Sequence, residues 1–145
     1  MTLVLRPTVF SEDAFRAIVE EADEEGAPFM LRLRDEWLSG AVRFGREGEI
    51  LFGGFLGEEL VAAGGITHDP YAPEAGLGRV RHIYVLKRYR NMGIGRMLVA
   101  RILDHGRRHF TSLRLNTQNP NAAKLYESLG FEPIKGPHQT HRLLL

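Results

Sequence analysis

The sequence contains no cysteine. That absence removes a disulfide framework, a thiolate zinc site and a cysteine nucleophile at one stroke. No apolar run approaches the ~20 residues that a membrane-spanning helix needs. The first residues, Met1-Thr2-Leu3-Val4-Leu5-Arg6-Pro7, lack both a basic stretch and a small-residue cleavage site, so they do not read as a signal peptide. A cytoplasmic location is the default expectation. Internal repeats, low-complexity tracts and linkers are missing as well. What remains is 145 residues with 43% hydrophobic and 26% charged content, which fits one domain spanning 1–145.

Net charge is only +1, but it is segregated along the chain. Residues 1–60 hold 6 Lys/Arg against 13 Asp/Glu, a net of −7, while residues 79–108 hold 9 against 1, a net of +8. A near-neutral whole argues against a general nucleic-acid binder. The basic block argues for one local anionic ligand.

Periodicity supplies the elements. Thr2–Arg6 alternates as a first strand. Ser11-Glu12-Asp13 reads as a cap with acids in the first turn, followed by Phe15, Ile18, Val19 and Ala22 at helical spacing, with Gly26 as the stop. Pro28 opens a second helix carrying Phe29, Met30, Leu33 and Trp37. Glu49–Leu56 and Leu60–Thr67 form a hairpin around Gly57-Glu58-Glu59. His68–Gly78 is a loop, Arg79–Leu86 a fourth strand, and Ile94–Phe110 a long helix with a broad apolar face. Leu113, Leu115 and Thr117 alternate as a fifth strand, and Asn121–Leu129 is a short helix stopped by Gly130. Two last strands are expected around Phe131–Ile134 and His141–Leu145. Strand runs broken by a few helices predict an α+β fold with a mostly antiparallel sheet.

Between the fourth strand and the long helix lies Arg90-Asn91-Met92-Gly93-Ile94-Gly95-Arg96. Glycines at a helix start let backbone N–H groups point at an anion, and the helix dipole adds to the attraction. Two nucleotide loops are excluded. Gly95 is followed by Arg96-Met97 rather than Lys-Ser/Thr, and the third glycine of a dinucleotide fingerprint is replaced by Leu98.

The segment Val80–Leu98 resembles the acetyl-CoA motif of the GNAT superfamily of N-acetyltransferases. That motif is an apolar strand, a few polar residues, then [Arg/Gln]-x-x-Gly-x-[Gly/Ala] opening a helix. A second segment, Asn119–Phe131, is similar to the family's Asn-x-x-Ala-x-x-[Leu/Phe]-Tyr-x-x-x-Gly-Phe, in the family's order and at its separation. The resemblance implies a GNAT-like mixed, mostly antiparallel sheet of about six or seven strands flanked by about four helices. It implies acetyl-CoA as co-substrate and an amine as acceptor. Asn91, Met92, Gly93, Ile94, Gly95 and Arg96 would wrap the pyrophosphate, with Arg90, Arg96, Lys87 and Arg88 supplying positive charge. Ile83, Tyr84 and Val85 would offer a strand edge to the peptide-like pantetheine, and an N–H near Val85 an oxyanion donor. Tyr126 would be the general acid for the CoA thiolate; on its residues alone it reads as a core aromatic, and the resemblance reverses that. Asn119 either positions pantetheine or caps the short helix.

The general base is less legible. The fourth strand, Arg79-Val80-Arg81-His82-Ile83-Tyr84, has no carboxylate, although many family members carry a Glu there. His82 has a suitable ordinary pKa of about 6.5 and is the candidate. Alternation puts His82 and Tyr84 on one face and Arg81 and Ile83 on the other. Glu36, Glu74 and Asp69 are reserves without positional support. His105 and His109 stand i, i+4 but lack a metalloprotease pattern, so no metal is expected. His138 and His141 have no partner legible in the sequence. With no cysteine and no Gly-x-Ser-x-Gly, direct attack in a ternary complex is favoured over an acyl-enzyme. The expected partners are a small-molecule or peptide amine, no nucleic acid and no membrane. A homodimer is compatible, but the oligomeric state is not legible. The alternative reading is a non-catalytic acyl-CoA-binding or sensor module of the same fold.

Overall fold

A computed structural model describes residues 2–145. Its elements follow the expected order: β1 (Leu3–Pro7), α1 (Glu12–Glu24), α2 (Phe29–Ser39), β2 (Ile50–Leu56), β3 (Glu59–His68), β4 (Leu77–Val85), α3 (Ile94–Gly106), β5 (Ser112–Leu115), α4 (Pro120–Ser128), β6 (Glu132–Pro133) and β7 (His141–Leu144), with a single 3-10 turn at Lys87–Tyr89. The local causes match the residues. The Ser11 Oγ accepts from the Ala14 N–H at 3.2 Å and so starts α1. Gly40 closes α2 at φ 82°, a left-handed value. The long helix is shorter than its apolar period, stopping at Gly106 rather than Phe110. After Gly106 the chain turns and returns Phe110 to the core, where it lies under Gly48 and Gly78. The strand expected at Phe131–Ile134 is only two residues long, for Pro133 has no N–H to give a ladder.

The seven strands run in the order β1-β2-β3-β4-β5-β7-β6, and only β4–β5 is parallel. Two neighbouring glycines of β3 show how the sheet is covered, since successive strand residues point to opposite faces. A Cβ on Gly64 would meet Ile83, Ile102 and Leu98, so that face belongs to α3. A Cβ on Gly65 would meet Phe44, which stacks on Trp37 of α2, so the other face belongs to α1 and α2. The core fills both layers, with Leu98, Val99 and Ile102 on one side and Phe15, Ile18, Met30 and Leu33 on the other, all buried.

β4 departs from regular alternation. Ala63 opposes Tyr84 and Gly65 opposes Arg81, so the single residue Gly64 faces the pair His82–Ile83. His82 takes a left-handed φ of 61° to absorb the extra residue. His82 and Tyr84 do share the α1–α2 face, as alternation requires. Arg81 does not share the α3 face with Ile83: its Nη2 donates to Glu36 of α2 at 2.7 Å. The bulge shifts the phase by one residue and brings Arg81 round to the side of His82.

Pairing between β4 and β5 ends early. Leu77–Arg79 match Ser112–Arg114, and beyond Arg79 the two strands part. The edge of β4 from Val80 to Val85 therefore faces an open wedge.

Candidate active site

The turn after β4 carries the clearest chemistry. Among the described residues, nothing accepts from the N–H groups of Asn91, Met92, Gly93, Ile94, Gly95 or Arg96, and the first N–H directed inward is that of Met97, to the Gly93 carbonyl at 3.0 Å. Six consecutive unpartnered donors at a helix start form an anion cradle. Asn91 at φ 63° and Gly93 at φ 82° bend the backbone into this shape. Gly95 is in ordinary helical geometry. A Cβ there would lie 3.6 Å from Leu125 and 3.8 Å from Val85, a normal contact. The end of β4, the first turn of α3 and the side of α4 thus meet at Gly95.

One further donor faces the wedge. The Leu86 N–H donates to the Val61 carbonyl at 2.9 Å, and Tyr84 stands opposite Ala63. N–H and C=O directions alternate along a strand, so the groups of Ile83 and Val85 point away from β3 toward the wedge. The Val85 carbonyl is capped by the Arg90 Nε at 2.9 Å. The Val85 N–H has no acceptor among the described residues.

Tyr126 lies on α4 next in sequence to Leu125, which approaches Gly95, and its ring is edge-on to Phe131 at 5.7 Å between centroids. It is 6% exposed, and burial pushes its phenol pKa well above the usual value. Desolvation disfavours the phenolate. Its hydroxyl makes no hydrogen bond among the described residues, so no protein group competes for its proton.

The flanking cations are differently employed from the expectation. Arg90 gives Glu25 two hydrogen bonds, at 2.6 and 3.0 Å, and its own N–H bonds the Lys87 carbonyl. Arg88 pairs with Glu59, and Lys87 lies 3.8 Å from Glu25. Arg96 donates to the Ser128 Oγ at 2.6 Å and so ties α3 to α4. The acidic half of the chain is the counter-charge of the basic block. The positive field around the turn, inferred from the linear sequence, is offset in space by Glu25 and Glu59, and Arg90 ties the turn to the end of α1.

Tyr84 belongs to the same anchor. Its hydroxyl donates to Glu21 at 2.9 Å and also bonds Glu25. Burial and the two carboxylates raise its pKa, with burial the larger cause. The Arg90 and Tyr84 hydrogen bonds hold the Glu25 carboxyl at about 2.

His82 is placed beside the wedge but is poorly suited to the base role. Its Nδ1 lies 2.9 Å from the Phe29 carbonyl, so Nδ1 must carry the hydrogen and Nε2 the lone pair. Burial, reinforced by the Arg81 charge, pushes its pKa down to about 3. The Nε2 atom is enclosed and has no partner among the described residues. A proton acceptor near neutral pH needs a pKa near neutral. The reserves are also committed: Glu36 to Arg81, Asp69 to Arg79 at 3.6 Å, and Glu74, on the surface, toward Arg114 at 3.8 Å.

Asn119 caps α4. Its Oδ1 accepts from the N–H groups of Asn121 and Ala122 at 2.9 and 3.3 Å. His141 has partners invisible in the sequence, Glu127 at 2.8 Å and the Thr140 hydroxyl at 2.9 Å, and His138 stacks on Tyr71. The His105 Nε2 lies 3.0 Å from the Gly48 carbonyl.

Known proteins share this fold. The model of the acetyltransferase (GNAT) family matches residues 11–131. A candidate acetyltransferase from Exiguobacterium sp. 255-15 superposes with a TM-score of 0.86 at 24% identity, covering 99% of this chain and 94% of that one. A chain of the NatC complex bound to Gag peptide and CoA gives 0.75 at 21% identity, over 100% and 99% of the two chains. Ribosomal-protein-alanine N-acetyltransferase from Brucella melitensis gives 0.71 at 20% identity, over 98% and 99%. At these identities the structures establish the fold. The family match, spanning both the anion cradle and the tyrosine helix, establishes more: the chain belongs to the acetyltransferase (GNAT) family, which transfers acetyl groups from acetyl-CoA.

Proposed function

We propose that this protein moves the acetyl group of acetyl-CoA to an amine by direct attack within a ternary complex. The observation that carries the reading is the run of six unpartnered N–H groups from Asn91 to Arg96, next to an unpaired β4 edge. The cradle suits a pyrophosphate, which needs many donors close to the backbone and no bulky side chain. The wedge edge at Ile83–Val85 suits the amides of pantetheine.

Acetyl-CoA supplies an activated thioester, and the chain does the rest. The Val85 N–H donates to the thioester oxygen as negative charge gathers there. The amine nitrogen bonds to the acetyl carbon, and the carbon–sulfur bond breaks. Tyr126 gives its proton to the departing sulfur, and the proton shed by the amine leaves through solvent. The raised pKa keeps the phenol protonated throughout the working range, which is what a donor requires. The low basicity of His82 means that the amine enters already unprotonated.

Replacing Tyr126 by Phe tests this. The ring is retained and an unpartnered hydroxyl is lost, so stability stays within about 0.5 kcal/mol. General-acid loss predicts a kcat lowered about 10²- to 10⁴-fold with an unchanged Kd for CoA. Equal turnover removes Tyr126 from the chemistry. Tight CoA binding with no turnover of any amine supports the non-catalytic sensor reading instead.

A further inference from the structure

The open side of the wedge holds three arginines that the local motifs leave unused. Arg79 of β4 stands opposite Arg114 of β5, and Arg114 opposite Arg142 of β7. All three therefore lie on one face, one strand apart, at ~4.8 Å spacing of the backbones. The face is the one away from α3. The alternate residues Leu113 and Leu115 are buried, and Leu113 approaches the position of a Cβ on Gly106 of α3. Leu144, on the same face as Arg142, is 71% exposed, so this side of β5 and β7 is open.

Like charges placed directly opposite across a sheet repel, and here they are incompletely satisfied. Arg79 bonds the His138 carbonyl, but its Nη1 and the Asp69 Oδ2 sit 3.6 Å apart, both enclosed and without a hydrogen bond. The Arg114 side chain is 22% exposed, and its nearest acid is Glu74, 3.8 Å away and itself 66% exposed. Its Nε is enclosed with no partner, and the side chain makes no hydrogen bond among the described residues. Arg142 faces Glu132 in register, yet no ion pair within 4.0 Å joins them. A guanidinium sheltered from water without acceptors is a cost to folding. It becomes useful when a ligand supplies the oxygens.

Resting on the acetyl-transfer reading, we propose that Arg114, flanked by Arg79 and Arg142, binds an anionic group of the acceptor. The acceptor is then an amine that carries a carboxylate or phosphate at its other end. A guanidinium fork fits either group with two parallel hydrogen bonds. Arg114 stands where β4 and β5 part. The Val85 N–H lies six residues further along β4 than Arg79, on the order of 20 Å. Amine at the Val85 end of the wedge and anion at the arginines are thus bridged by a short extended peptide of about five residues.

Thiol release from acetyl-CoA is measured with matched acceptors: pentaglycine against pentaglycine amide, and tetraglycyl-phosphoserine amide against tetraglycyl-serine amide. The expected result is faster turnover of the charged member of at least one pair. Arg114→Gln should reduce that kcat/KM about 10- to 100-fold, spare the neutral member, and leave the calorimetric Kd for CoA unchanged. Neutral members that react as well as charged ones, or an Arg114→Gln loss equal for both, overturn the proposal. Failure of CoA to bind overturns the acetyl-transfer reading instead. If neither pair reacts, inorganic phosphate is titrated into CoA-saturated protein while the Arg114 Nε–H resonance is followed. A saturable shift supports the site, and no shift refutes it.

Discussion

At the scale of single residues, the site depends on backbone positions that only certain side chains tolerate. Gly93 takes φ +82°, and a Cβ there would meet nothing within 4 Å. The strain of a left-handed alanine is roughly 1–2 kcal/mol, a tolerable loss. The empty space is where a phosphate would approach the N–H groups. Gly93→Ala should therefore remain folded, with a midpoint lowered by a few degrees, while the calorimetric Kd for CoA rises at least about 10-fold. That factor corresponds to about 1.4 kcal/mol. An unchanged Kd would place the phosphates elsewhere. Asn119 shows a choice that the residue alone left open: it could position pantetheine or cap the short helix, and in the fold its side chain caps α4. The raised pKa of Tyr126 is different in kind, because burial by Phe131 and its neighbours is a tertiary fact.

At the scale of elements, β4 is the decisive one, and its bulge depends on the strand beside it. A Cβ on Gly64 would fall 2.3 Å from Ile83 Cδ1 and 3.3 Å from both Ile102 and Leu98. Gly64→Ala should destabilise by about 1–3 kcal/mol, the usual cost of overpacking, read from urea denaturation. A loss below about 0.5 kcal/mol would show that the bulge tolerates a filled partner. The helices and the hairpin were legible because 3.6-residue and two-residue periods are local. The bulge was not, since nothing in Arg81-His82-Ile83 announces an extra residue. It follows from which residue of β3 stands opposite. That one-residue shift is why alternation placed Arg81 on the wrong face.

At the scale of the whole molecule, burial and charge pairing predict how stability responds to acid. His82 titrates at about 3 when folded against an ordinary 6.5. Between those values the unfolded chain binds a proton that the folded chain refuses, so stability falls as pH drops below about 6.5. Glu25 titrates at about 2 against an ordinary 4.5, so its contribution is complete above 4.5 and is lost as pH falls toward 2. The two windows overlap between pH 4.5 and 3. His82→Asn removes the titrating ring and keeps a residue that tolerates positive φ. It should flatten the stability curve between pH 6.5 and 4.5, make it shallower between 4.5 and 3, and leave the Glu25 loss below that. A parallel curve in the variant would show that His82 is not buried neutral.

The sequence alone determined the parts that are contiguous: the anion cradle at Asn91–Arg96, the Asn119–Phe131 helix with its tyrosine, the element order and the family. These are short stretches whose backbone geometry follows from their own residues. Only the tertiary structure decided what each charged or titratable group does. Arg90 met Glu25 across 65 residues, His82 met the Phe29 carbonyl across 53, and the arginines of β4, β5 and β7 were set side by side by strand register. Register and burial are properties of pairs of segments. A linear charge pattern therefore could not show that Glu25 and Glu59 stand against Lys87, Arg88 and Arg90.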